Sequence, residues 1–260
     1  MALVESWKFQ ADEVTGYIAG GGEHGIQIVA TADGKPGTRG MGMNLEHYYS
    51  RSCEQGRFVP RYQAKVHSEQ TGEQVVRVRI EPHKDWQIEA TVDFAVLPGA
   101  LIEVRYGFHF LAAYRGFEAF VSNYFHDPTE PHLHLNGQWV RPTVADNEHR
   151  FWLRSPADAE NTLAVRHAEL TPSAEIIQPI DPVCFDHPVM VTPIAGSTQS
   201  IVNIVEAEHC PSLSVNRRWN AHDFSLLGRD VAAGERVTCR AWFACTTLAS
   251  LDDALRLQPR

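Results

Sequence analysis

The residues with the most chemical potential lie in one run, Phe117-Glu118-Ala119-Phe120-Val121-Ser122-Asn123-Tyr124-Phe125-His126. In an extended chain alternate side chains point to opposite faces, so Phe117, Ala119, Val121 and Phe125 form an apolar row. Glu118, Phe120, Ser122, Tyr124 and His126 form the row opposite. A carboxylate, a hydroxyl, an imidazole and two rings are the groups a pyranose site uses. Rings cover the C–H face of the sugar while polar groups bond its hydroxyls. The plain alternative is a row facing water, its rings half covered by a neighbouring loop.

A second loaded block is Val205-Glu206-Ala207-Glu208-His209-Cys210-Pro211, followed by Arg217-Arg218-Trp219. In a strand, Glu206 and Glu208 share a face, and two carboxylates so close can raise one pKa toward that of a usable general base. A solvated acidic strand end is the alternative. Trp219 can stack on a sugar or simply pack, and Arg217 and Arg218 would suit a carboxylate. Glu103, Arg105 and His109 share another face. There His109 can act as acid or base, because imidazole titrates near neutral pH, although Arg–Glu pairs on sheets are commonly cross-strand partners.

The His132-x-His134 spacing puts two imidazoles on one side of an extended chain, as strand-borne metal ligands are arranged, with His126, Glu130 or a distant histidine as a third. With 13 histidines in the chain a chance pair is ordinary, and two prolines beside it suit an exposed loop. No metal and no cofactor are expected.

Strands must position these residues, because period-2 alternation dominates the chain. Trp86, Ile88, Ala90, Val92, Phe94 and Val96 face one way against Gln87, Glu89, Thr91 and Asp93. Pro98-Gly99 turns the chain, and Ile102, Val104, Tyr106, Phe108 and Phe110 alternate next. With Val76, Val78 and Ile80 these runs predict an antiparallel meander with one buried face. Further strands are expected at about 117–125, 161–170, 174–178, 189–194, 200–207, 212–219 and 235–246. Ser155-Pro156, Thr171-Pro172, Asp181-Pro182, Ala195-Gly196-Ser197 and Ala233-Gly234 supply turns between them. Only the tail reads as helix, with Ser250 capping Leu251-Asp252-Asp253-Ala254-Leu255. The glycine-rich stretch from Gly20 to Gly42 matches no phosphate-binding fingerprint and reads as loops between early strands. The expected fold is all-β: a large antiparallel two-layer sandwich with a short C-terminal helix, one domain over residues 1–260.

The net charge of −9 argues against a nucleic-acid partner, because phosphate binding needs a basic stripe and none is visible in the sequence; a neutral sugar makes no such demand. No run reaches the ~18–20 apolar residues of a membrane span, and the first residues lack a signal-peptide pattern, so a cytoplasmic protein is the default. Five cysteines without CxxC spacing read as free thiols, and Cys239 and Cys245 share the parity of Val237, Ala241 and Phe243 and should pack as small apolar groups.

The C-terminal third resembles the galactose mutarotase (aldose 1-epimerase) superfamily. Those enzymes have a strand ending in a glutamate, a Gln/Glu-x-x-Pro stretch, and a Pro-Gly-Glu turn into the last strand. Val205-Glu206-Ala207-Glu208-His209-Cys210-Pro211 is similar to the first part. Asp230-Val231-Ala232-Ala233-Gly234-Glu235-Arg236, continuing to Arg240-Ala241-Trp242-Phe243, is similar to the second. The family's Asn-His-x-Tyr-Phe-Asn-Leu motif is approached by Ser122-Asn123-Tyr124-Phe125-His126, without the histidine after the asparagine. Its early Asn-Arg pair has no counterpart beyond the region of Met43-Asn44-Leu45-Glu46-His47. The resemblance implies a supersandwich fold and acid–base interconversion of a sugar, with Glu206 as base and His126 or His109 as acid. Glu118, Phe120, Tyr124, Arg217 and Trp219 would then contact the substrate. A non-catalytic sugar-binding module and a metal-dependent or lyase-type sugar enzyme on a β-sandwich stand as alternatives.

Overall fold

Alternating apolar and polar side chains make strands, and nearly every structured segment of this chain is one. The computed structural model describes residues 5–258 apart from 40, 54–56, 127–129, 143–149, 157–179 and 218. Its strands are β1 (Ser6–Ala11), β2 (Val14–Ala19), β3 (Gly25–Ala30), β4 (Asn44–Tyr49), β5 (Arg57–Phe58), β6 (Val66–Gly72), β7 (Val75–Ile80), β8 (Ile88–Leu97) and β9 (Leu101–Phe110). The remainder are β10 (Tyr114–Tyr124), β11 (His132–Leu135), β12 (Gln138–Val140), β13 (Arg150–Arg154), β14 (Ile180–Pro193), β15 (Ser200–Val205), β16 (Ser212–Asn216), β17 (Ala221–Val231) and β18 (Arg236–Thr246). One helical turn, α1 (Pro60–Gln63), and two 3-10 turns, Ala207–His209 and Leu251–Arg256, complete the described elements.

The first three strands form a small sheet; the others form one continuous sheet in the order β5-β4-β10-β17-β16-β13-β14-β15-β18-β9-β8-β7-β6, with β11 and β12 branching from β14. The sheet folds into two layers, and β14 belongs to both. Its first half pairs with β13 and its second half with β15. Across the interior, Phe108 and Phe110 of β9 meet Phe117 of β10 at ring-centroid distances of 5.9 and 4.8 Å. The Tyr106 hydroxyl donates to the Met43 carbonyl at 2.9 Å, a further tie between the layers. Buried residues of β1–β3, such as Val14, Ile18 and Ile28, belong to the same apolar core as Phe94, Phe117 and Phe243. This is the all-β sandwich that the alternation predicts.

Turn chemistry places most of the boundaries. Gly99, Gly196 and Gly234 have φ values of 79°, 69° and 81° in the turns after β8, β14 and β17. Cys239 and Cys245 are buried in the apolar core as free thiols. The C-terminal turn is 3-10 rather than α, and Asp253 accepts the Ser250 N–H at 2.8 Å.

Two local expectations are revised. Asp181-Pro182 does not end a strand, because β14 runs through it. Among the described residues the stretch Ile180–Cys184 pairs only with β13, and β11 joins from Phe185 onward, so a residue without an N–H is tolerated on its open side. Pro188 falls where the β11 pairing slips from His134–His187 to Leu133–Met190, a bulge that also needs no donor. The strand expected at 200–207 stops at Val205, and the His209 N–H bonds the Glu206 carbonyl at 3.0 Å, so Glu206 and Glu208 lie on a tight turn and not on one strand face. The strands expected at 161–170 and 174–178, and the Thr171-Pro172 turn, lie outside the described residues.

Candidate active site on the face of β4 and β10

β4 pairs with β10 so that Phe120 opposes His47 and Val121 opposes Leu45. Glu46 is therefore the extra residue of a β-bulge. The bulge explains why Leu45-Glu46-His47-Tyr48 breaks the two-residue period. Leu45 and Tyr48 both enter the main core, while Glu46 and His47 both turn to the other face, where the polar row of β10 lies.

On that face the Glu46 carboxylate is almost fully buried, with 5% of the residue exposed. Ser122 Oγ donates to it at 2.5 Å, and the Tyr124 hydroxyl reaches both of its oxygens at 3.0 and 3.1 Å. Burial, and then the Glu46 charge, push the Tyr124 phenol far above its usual pKa, so it remains a donor at every physiological pH. Arg61 Nη2 and His47 Nε2 lie 3.8 and 3.7 Å from Glu46 Oε1.

The tautomer of His47 follows from its partners. Arg57 Nη2 lies 2.9 Å from His47 Nε2, and a guanidinium can only donate. Nε2 is therefore the acceptor, and Nδ1 carries the proton that meets the Tyr49 hydroxyl at 3.1 Å. The imidazole lies nearly parallel to the Phe120 ring, 15° apart with centroids at 5.6 Å.

The polar face continues across β17 and β16. Ser225 opposes Phe120, Asp223 opposes Ser122, and Ser214 in turn opposes Asp223 and donates to it at 3.2 Å. Glu118, Asp223, Ser214 and Ser225 are all fully buried. Asn123 points the other way. Its side chain accepts the Met43 N–H at 2.8 Å and donates to the His222 carbonyl at 3.0 Å, tying β4, β10 and β17 together.

Of the residues singled out from the sequence, this face brings together Glu118, Phe120, Ser122 and Tyr124, and His126 sits exposed just beyond the end of β10. The others lie elsewhere. Glu206 follows β15, and its carboxylate binds the Arg240 side chain and backbone N–H at 2.7 and 3.0 Å. Arg240 lies over the Trp242 ring on the outer face of the second layer. His109 pairs with Glu89 at 2.7 Å, and Glu103 with Arg105 at 2.7 Å, on that layer as well. Arg217 pairs with Glu130, and Trp219 is exposed.

His134 Nδ1 is 2.9 Å from Asp186, with Trp139 and His187 against its ring; burial lowers the pKa of neighbouring His132. Glu206, Glu208 and His209 bring one potential metal-ligand atom each within 4.8 Å of one another, a grouping in which Glu206 is already engaged by Arg240. Glu46, His47, Arg57, Arg61 and Asp223 are the site residues that alternation alone does not find. The signal for the first two is the paired polar break inside an otherwise apolar strand.

These layers, joined through β14, make one large two-layer β-sandwich. No family model and no curated protein matches the chain. Among solved structures, a putative aldose 1-epimerase from Escherichia coli K12 aligns with a TM-score of 0.56 at 8% identity, covering 94% of this chain and 100% of that one. A GalM/aldose epimerase homologue from C. elegans gives a TM-score of 0.56 at 7% identity over 94% of this chain and 99% of that one. A TPR-domain containing protein from Parabacteroides distasonis gives 0.53 at 9% identity over 98% of this chain, which spans 50% of that longer one. At these identities the likeness is one of fold.

Proposed function

We propose that this protein binds a sugar against the β4/β10 face and interconverts its anomers by acid–base chemistry. The observation that carries the reading is the Glu46 cluster, a buried carboxylate ringed by hydroxyl donors, an imidazole and an aromatic ring, in a fold shared with aldose epimerase structures. In the forward step Glu46 accepts the proton of the anomeric hydroxyl as the C1–O5 bond breaks. The ring oxygen takes a proton from His126, which leaves the open-chain aldehyde. Rotation about C1–C2 and reversal of both transfers closes the ring as the other anomer, with no net consumption of protons. Tyr124, partly exposed, meets the sugar first.

The sequence resemblance gives the base to Glu206 and offers His109 as an acid. Both are engaged on the second layer, by Arg240 and Glu89, so Glu46 and His126 are the assignment adopted. Anomer exchange followed by NMR for a panel of aldoses tests it, with the wild type, Glu46→Gln and Glu206→Gln side by side. Loss in Glu46→Gln with activity retained in Glu206→Gln is expected; the reverse pattern returns the base to Glu206. Absence of exchange by the wild type on every sugar defeats the catalytic reading.

One observation favours sugar binding without turnover: both Glu46 oxygens already accept hydroxyl hydrogen bonds from the protein. That reading requires saturable binding by calorimetry together with no exchange.

A further inference from the structure

We infer that the outer face of the β11/β14 pair binds a divalent transition metal of the Zn²⁺ type, through His134 of β11 and His187 of β14, with Asp186 bracing the first. This pair belongs to the layer of β15 and β18, away from the β4/β10 face, and the inference does not depend on the sugar reading.

Spacing in the sequence pairs His134 with His132, two positions back on the same strand. Strand pairing supplies a different partner. His134 lies opposite His187, at a place where the register between β11 and β14 slips on both sides. Leu133 and Leu135 turn to the apolar core, so His134 turns outward. Its ring lies 5.1 Å from that of His187, centre to centre, at 56°. A tetrahedral ion with Zn–N bonds of about 2.0–2.1 Å holds two imidazoles roughly 5 Å apart, so the rings need little movement.

Hydrogen bonds fix which nitrogen His134 presents. Asp186 Oδ2 lies 2.9 Å from Nδ1 and also accepts the Gly137 N–H at 2.7 Å. A carboxylate only accepts, so Nδ1 carries the proton and Nε2 presents its lone pair. The same carboxylate makes that lone pair more basic and sets the plane of the ring, as outer partners of metal-binding histidines do. Trp139 closes another side. Its ring meets His134 edge-on at 5.2 Å, and its indole N–H is tied to Asp252 Oδ1 at 2.7 Å. The His134 side chain is 12% exposed and His187 is open to water, which would fill the remaining coordination positions.

His132 is not a ligand in this arrangement. Its Nδ1 is buried where a hydrated ion does not reach, and its other ring nitrogen bonds the Val191 backbone. Two imidazoles select Zn²⁺, Ni²⁺ or Cu²⁺ over Mg²⁺ and Ca²⁺, which take oxygen ligands.

The test is calorimetry with Zn²⁺ on the full chain, with Mg²⁺ as the control ion. Wild type is compared with His134→Ala, His187→Ala, Asp186→Asn and His132→Ala. The chain has 13 histidines, so the readout is the site lost in a variant rather than binding as such. One equivalent of Zn²⁺ should be lost, or weakened more than about tenfold, in His134→Ala and His187→Ala. Asp186→Asn should weaken it about 10–100-fold, the usual worth of an outer partner to a ligating histidine. His132→Ala and Mg²⁺ should leave it unchanged. His187 is exposed, so His187→Ala serves if His134→Ala fails to fold. Matching Zn²⁺ isotherms for wild type and His187→Ala mean an adventitious ion only and overturn the site. A loss in His132→Ala as large as in His187→Ala moves the ligand pair back within β11 and overturns it as well.

Discussion

Two faces of this molecule carry polar rows written by the same two-residue alternation, and they differ in what surrounds them. On β10 and its neighbours, Glu46, Glu118, Ser122 and Asp223 are buried, and the hydrogen bonds of Glu46, Ser122, Tyr124 and Asp223 run between strands inside the protein. On β7, β8 and β9 the row pairs Arg77 with Asp93, Arg105 with Glu103 and His109 with Glu89, and the Arg105 side chain is 56% exposed. In each of these pairs water reaches one member more than the other, Arg77, Arg105 or Glu89, so each pair is partly screened and contributes less. The first set has exchanged water for fixed partners, and there each donor and acceptor matters. The contrast teaches that residue type marks candidates on both faces, while burial concentrates the chemistry on one.

The largest effect that would sharpen this contrast is on turnover. Glu46→Gln should slow anomer exchange by about 10²–10⁴-fold, the usual worth of a positioned acid or base. Arg105→Gln on the other face should leave the rate unchanged in the same NMR assay. A comparable loss in both would dissolve the distinction.

Acid should strike the buried face through His24. This residue is fully buried behind β4, where its Nε2 accepts the Leu45 N–H at 3.1 Å and its carbonyl accepts from Asn44 at 2.6 Å. Burial lowers its pKa from 6.5 to about 4. The unfolded chain therefore binds more protons across that window, and folding stability must fall as pH drops from 6.5 toward 4. The loss attributable to His24 is about 2 kcal/mol, read as the difference between wild-type and His24→Gln urea unfolding at pH 7 and pH 4.5. Parallel pH profiles for the two proteins would remove His24 as the cause.

Smaller again is Tyr124→Phe, which deletes one donor to the buried Glu46 carboxylate and should cost about 1–3 kcal/mol in denaturant unfolding. Arg105→Ala should cost less than about 1 kcal/mol, the range of exposed ion pairs. Equal costs for these two variants would mean that the faces are solvated alike.

The β8 and β9 runs were legible because one face is apolar without interruption: Ile88 through Val96 and Ile102 through Phe110 are buried at every second position. The β10 row was legible from Phe117, Ala119 and Val121, although Asn123 interrupts their face, and Glu118, Phe120, Ser122 and Tyr124 share the face that alternation assigns them. Glu46 and His47 were not, because a bulge shifts parity by one and no local pattern states which neighbour will oppose it. Arg57 and Arg61 were less legible still, since a two-residue strand and a single helical turn carry too few residues for a period to show.

What the sequence determined by itself is the class of structure and one line of the site. Period-2 alternation commits each strand to one buried face, whatever lies beside it. Turn residues such as Gly99, Gly196 and Gly234 set where strands end, because few other residues accept their backbone angles. What only the tertiary structure decided is which strands lie side by side. It set β4 against β10, so that Glu46 meets Tyr124 across 78 positions of sequence, and it left Glu206 to Arg240 on the other layer. Pairing order in a sheet depends on non-local contacts that all strands compete to make, and that competition is resolved only when the whole core closes.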